Sequence, residues 1–226
     1  MNKIDLTELF ISIKNQPYVV IKSSNELPFI KSGSDVDIFC LDLEEMTKNI
    51  LAFLNGFIKD NYRIRVTTNL NHRYVDLLDK ESIIARFDLY GELPVFENLS
   101  LKSSFFLSVI EGAIVNDKHI KVTKDIDDYI LRYCEYIEYY ATRPDKIKHI
   151  DFINDNYDDK IKSDALTKLY YFTSFKLPNV LHTKTKYQVF AEWINHIVSR
   201  ASRFFYLIKQ YGLLYVINLI RIRLFK

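Results

Sequence analysis

Two aspartates, Asp35 and Asp37, alternate with apolar residues in Ser34-Asp35-Val36-Asp37-Ile38-Phe39-Cys40. Such alternation reads as a β-strand, in which residues two apart share a face. The pattern therefore sets two carboxylates side by side, while Val36, Ile38 and Cys40 anchor the opposite face in a core. Like charges held this close are costly unless a cation or a set of donors neutralises them. A site made only of oxygen ligands favours Mg²⁺ or Mn²⁺ over zinc. The plainer reading of the same spacing is a strand edge carrying two solvated aspartates.

The surrounding residues sharpen the first reading. An apolar strand, Tyr18-Val19-Val20-Ile21, runs into Lys22-Ser23-Ser24, and a polar loop then leads to the acid pair. A further acid, Asp88, follows in Arg86-Phe87-Asp88-Leu89-Tyr90-Gly91. These segments together resemble the nucleotidyltransferase superfamily, the minimal-nucleotidyltransferase and DNA polymerase beta-like fold. Over residues 18–93 the chain is similar to nucleotidyltransferase-like proteins of bacterial surface-polysaccharide clusters.

The resemblance implies a role for each matching position. Ser23-Ser24 stands at the turn that meets nucleotide phosphate. Asp35 and Asp37 would hold the metal, and Asp88 would hold metal or act as a base. Lys22, Lys31, Ser34 and Arg86 would lie around the phosphates. The implied activity is Mg²⁺- or Mn²⁺-dependent transfer of a nucleotidyl or phosphoryl group from a nucleoside triphosphate to a small acceptor, such as a sugar, sugar phosphate or polyol. Such transfer is mainly a matter of positioning and charge neutralisation, which clustered carboxylates and cations supply.

Two points stay open. The family's first turn residue is normally glycine, whose missing Cβ lets the backbone approach phosphate. Ser23 takes its place, so a binding module that keeps the fold without turnover is the alternative. Asp76, in Tyr74-Val75-Asp76-Leu77, rivals Asp88 as third acid. Asp88 is preferred because Phe87 and Leu89 bracket it and the Gly91 turn follows. Arg86 shares a face with Asp88 and fits either phosphate contact or a cross-strand ion pair.

The elements that must position these residues follow from hydrophobic periodicity. Besides the two strands, 62–68, 73–78 and 82–90 read as an antiparallel meander. Helices are expected over 5–13, 44–57, 101–115, 125–141, 162–175 and 187–210. The expected fold class is α+β, a small mixed or antiparallel nucleotidyltransferase sheet with flanking helices, followed by an α-helical C-terminal half. The implied domains are 1–100 and 101–226.

Composition bounds the remaining function classes. The 226 residues are 48% hydrophobic and 27% charged, an ordinary globular balance that rules out global disorder. Two cysteines, Cys40 and Cys134, make no disulfide framework and fit a reducing, cytoplasmic setting. His72, His119, His149, His182 and His196 show no zinc-ligand spacing, and His149-Ile150-Asp151 reads as structural. No Walker A, Gly-x-Gly-x-x-Gly or Gly-x-Ser-x-Gly motif is present, which argues against P-loop, dinucleotide and serine-hydrolase chemistry.

Charge is unevenly spread. From Trp193 onward there is no acid, and six basic residues end the chain; with +2 overall, the rest carries −4. An acidic body argues against a broad nucleic-acid surface. The apolar run from Leu213, closed by Arg221, Arg223 and Lys226, suggests peripheral contact with an anionic inner-membrane surface or a glycan-assembly protein. A terminal helix packed on the protein itself is the plainer reading of that run.

Overall fold

The computed structural model describes residues 3–60, 62–96, 99, 101–139 and 142–173. All of these lie within one compact unit, Met1–Lys176. The expected helix at 187–210 and the basic end of the chain lie outside the described residues.

The order begins with β1 (Lys3–Asp5), α1 (Thr7–Ile13), β2 (Tyr18–Ile21), β3 (Phe29–Lys31), β4 (Ser34–Cys40) and α2 (Leu43–Leu54). The meander follows as β5 (Arg63–Asn69), β6 (His72–Asp79) and β7 (Ser82–Tyr90). Next come α3 (Ser104–Glu111), β8 (Ile114–Val115), β9 (Lys121–Val122) and α4 (Asp125–Tyr139). A 3-10 turn (Pro144–Lys146) leads into α5 (Ile147–Asn156), and α6 (Asp159–Phe172) closes the described part.

The main sheet has seven strands in the order β5-β6-β7-β4-β2-β9-β8, and β1 pairs with β3 separately. The α+β class is therefore observed, with a mixed sheet. Hairpin neighbours run antiparallel, as the short polar breaks after 69 and 79 require. The β4–β7 and β2–β9 pairs are parallel. The chain needs α2 and the β5–β6 hairpin to return to β7 in the direction of β4.

Side-chain alternation divides the sheet into two faces. Val36, Ile38 and Cys40 of β4, Val75 and Leu77 of β6, and Phe87 and Leu89 of β7 are buried together in the main core. Leu9, Phe10 and Ile13 of α1 and Met46, Ile50 and Leu54 of α2 belong to the same core. Helix α2 starts cleanly because the Asp42 side chain accepts a hydrogen bond from the Glu45 N–H at 2.9 Å. The other face of the sheet carries the polar residues. There α3 covers the far end of β4, where Phe39 meets Phe106 with ring centroids 4.9 Å apart.

The structure differs from expectation in its short elements. The segment 101–115 holds a shorter helix, α3, and then the small strand β8. Strands β3, β8 and β9 have two or three residues each, too few to build a period.

Candidate active site

Register brings the chosen acids together. In the parallel β4–β7 pair Asp35 lies beside Arg86 and Asp37 beside Asp88. The turn before β4 fixes that register: Gly33 has φ +84°, a conformation costly for other residues, and its N–H donates to the Ile84 carbonyl at 2.7 Å. Burial then deepens along β4 on the polar face. Asp35 is exposed, the Asp37 side chain is 15% exposed, and Phe39 is fully buried. The acid pair thus straddles the boundary between solvent and core.

The turn after β2 supplies a cation to this pair. Lys22 adopts the left-handed conformation, with φ 51°, and its Nζ lies 2.8 Å from Asp37 Oδ2 and 2.7 Å from Glu135 Oε2. Burial works against the ammonium, but the two carboxylates outweigh it and hold the Lys22 pKa above the ordinary lysine value. Burial likewise pushes Asp37 up, against the pull of Lys22. The left-handed residue of this turn is Lys22 and not Ser23. Ser23 therefore needs no glycine-like backbone, and its carbonyl accepts from Arg132 Nη2 at 3.4 Å.

The two rival acids have different surroundings. Asp76 is 1% exposed and fully engaged: Arg86 donates to it at 2.7 and 3.0 Å, and Arg65 at 2.7 and 3.1 Å. Burial would raise its pKa, but the two guanidinium groups bring it below the ordinary carboxylate value. Asp88, one strand over, has a buried Oδ1 that accepts no hydrogen bond, with Arg86 Nε 3.9 Å away. Burial and the nearby Asp37 push its pKa up to about 7. Arg86 is accordingly tied to Asp76 across the strands, and Asp88 is the acid left with unsatisfied acceptor capacity.

A cleft of about 750 Å³ opens over these residues. Lys22, Ser23, Ser24, Lys31 and Ser34 line it together with Asp35, Asp37, Arg86 and Asp88, so the residues singled out from the sequence share one cavity. Asp76 is not among its lining residues. The volume suits a nucleotide-sized ligand.

The opposite wall is helical and carries residues that no local motif marks. Arg132 and Glu135 come from α4, Arg143 and Lys146 from the connection that follows, and Lys148 and His149 from α5. Glu135 pairs with Lys22 and Lys146 and lies 3.5 Å from His149 Nε2. Burial opposes its charge, but these neighbours bring its pKa down to about 2. Burial also lowers His149 to about 4, helped by Lys22, Lys146 and Arg132 and resisted by Glu135. The available signal for this wall was the concentration of basic residues between 143 and 149, which becomes meaningful once α4 and α5 are packed.

Among the described residues, no three His, Cys, Asp or Glu side chains lie close enough together to share a metal ion, and no helix is long and apolar enough to cross a membrane. The chain matches no family model, and neither a curated protein nor a solved structure matches it.

Proposed function

We propose that the protein transfers a nucleotidyl or phosphoryl group from a nucleoside triphosphate to a small acceptor, with the acids of β4 and β7 at the reacting end of the cleft. The observation that carries this reading is the register that sets Asp37 beside Asp88 under a cleft also lined by Ser23, Ser24 and Lys31. A divalent cation fits the chemistry of this donor set, because Asp88 Oδ1 is buried without a partner and all the nearby acceptors are hard oxygens. Asp37 and Asp88, side by side in register, would hold it together with phosphate oxygens of the nucleotide, since Asp35, Asp37 and Asp88 do not by themselves lie close enough to share an ion. When bound, the ion would neutralise phosphate charge and make an acceptor hydroxyl easier to deprotonate.

The chain's own residues supply the rest. The hydroxyls of Ser23 and Ser24 offer hydrogen bonds to phosphate oxygens, and Lys31 at the rim attracts the triphosphate. Arg86 stays fixed by Asp76, which keeps a positive charge beside Asp88 without releasing its guanidinium to solvent. In the metal-free cleft Asp88 is suited to hold a proton near neutral pH, which a cation bound beside it would displace.

A second reading, a nucleotide-binding module without turnover, is favoured by one observation. The ammonium of Lys22 already sits 2.8 Å from Asp37, where a metal would otherwise supply the positive charge. Calorimetric titration of the four nucleoside triphosphates with and without Mg²⁺ separates the readings. Mg²⁺-dependent binding that disappears in an Asp35→Asn, Asp37→Asn double variant supports the transferase. Metal-independent binding supports the module, and an absence of nucleotide binding overturns both.

A further inference from the structure

The two walls of the cleft differ in charge. On the sheet side Asp35, Asp37 and Asp88 are balanced by Lys22, Lys31 and Arg86, whereas the helical wall is net basic, with Arg143, Lys146 and Lys148 against Glu135 and with His149 among them. Glu135 is saturated, because Lys22 and Lys146 share its two oxygens. Three groups on that wall remain able to bind a ligand. Lys148 makes no ion pair among the described residues. Among the described residues Arg143 pairs only with Asp145, at 3.2 Å, where both side chains are more than half exposed, and such pairs are weak.

His149 is the most informative of the three. It is 5% exposed and lines the cleft, yet neither ring nitrogen has a hydrogen-bond partner among the described residues. A buried imidazole left unsatisfied is expensive, and it signals a donor whose partner arrives with a ligand. The N-terminus of α5 lies at the same place. It has no acidic residue in its own first turn and no side chain capping it, and the nearest acid, Asp145 of the 3-10 turn leading into it, is more than half exposed and paired with Arg143.

We propose that Arg143, Lys148 and His149, around the start of α5 and beside the Lys146–Glu135 pair, form a phosphate subsite facing the acids, and that it holds a phosphate group carried by the acceptor. The existence of the subsite stands on its own geometry; its assignment to an acceptor rests on the transfer reading above. The acceptor class then narrows from sugars and polyols in general to their phosphate monoesters. Separation of charge within the cleft orients such a molecule, with its phosphate on the helical wall and its hydroxyl toward Asp88.

Inorganic phosphate is the probe, titrated into the full-length protein by calorimetry at constant ionic strength without metal or nucleotide. Saturable binding is expected, weakened about tenfold or more in an Arg143→Ala, Lys148→Ala variant, as for loss of charged hydrogen bonds. Both substituted side chains are exposed, so the fold is retained. The His149 ring resonances should shift with phosphate in the native protein, and the Asp35→Asn, Asp37→Asn variant should bind phosphate at least as well. No saturable binding, or equal binding by the Arg143/Lys148 variant, overturns the subsite. Titration in the presence of saturating Mg²⁺ and nucleotide identifies the source. Undiminished phosphate binding supports an acceptor phosphate, while direct competition shows that the nucleotide's own tail takes the subsite and overturns that assignment. A protein that binds phosphate but no nucleotide retains the subsite and loses the transfer reading.

Discussion

Lys22 shows how one side chain sets the state of the acid cluster. A left-handed backbone on a long side chain costs free energy and persists only where the surroundings hold it. Here the surroundings are Asp37 and Glu135, which trap the ammonium between the sheet and α4. Lys22→Met removes the charge while keeping most of the apolar stem. Both carboxylates then lack their shared cation, and removing one partner from a buried pair typically costs about 3–5 kcal/mol. We expect that loss in urea denaturation at neutral pH in metal-free buffer. We also expect Mn²⁺ to stabilise the variant more than it stabilises the native protein, because the ion replaces the missing charge beside Asp37. A variant as stable as the parent, or one indifferent to Mn²⁺, would show that Lys22 does not neutralise this site.

At the scale of elements, β6 and β7 place two acids on one face and give them opposite duties. Asp76 is clamped by Arg65 and Arg86, whereas the buried oxygen of Asp88 has no hydrogen-bond partner. Asp76→Ala leaves two partly exposed guanidinium groups without their acceptor and should cost about 1.5–3 kcal/mol in chemical denaturation. Asp88→Asn removes a charge beside Asp37 and should leave stability unchanged or raised, while nucleotide-dependent activity falls. A matching loss of stability in both variants would contradict this division. The strands themselves were legible: β2 and β7 have the bounds that β-branched runs and polar breaks suggest. The preference for Asp88 over Asp76 rested on flanking apolar residues, and burial gives the physical distinction between them. Parallel pairing of β4 with β7 was not legible, because two strands separated by a helix and a hairpin leave no local mark of their direction. Glu135 and Lys146 carry no local signal, and His149 reads as structural from its neighbours, for a similar reason. They sit on helical stretches without a motif, and only packing of α4 and α5 brings them to Lys22.

Across the whole described molecule, the chain of Asp37, Lys22, Glu135 and Lys146 ties the sheet to the helices through buried charge, with His149 beside it. Such a tie makes the fold sensitive to acid in a defined order. Burial, together with Lys22, Lys146 and Arg132 and against the pull of Glu135, holds His149 from its ordinary 6.5 down to about 4. Between those values the unfolded chain takes up a proton that the native one refuses, so stability falls as pH falls. Glu135 is depressed from 4.5 to about 2, and its contribution, complete above 4.5, is lost as pH drops toward 2. Acid should therefore loosen the protein in two stages, the upper from His149 and the lower from Glu135. At about 1.4 kcal/mol per pKa unit, the upper stage amounts to roughly 3–4 kcal/mol. His72, also held low by burial, adds to it. Urea denaturation at a series of pH values should show the native stability declining from near neutrality, and His149→Gln should flatten the upper stage while leaving the lower one intact. An unchanged upper slope in that variant would mean that His149 is protonated freely in the native state. The wall of α5 would then be open to solvent, and the charge tie between sheet and helices would be looser than this packing requires.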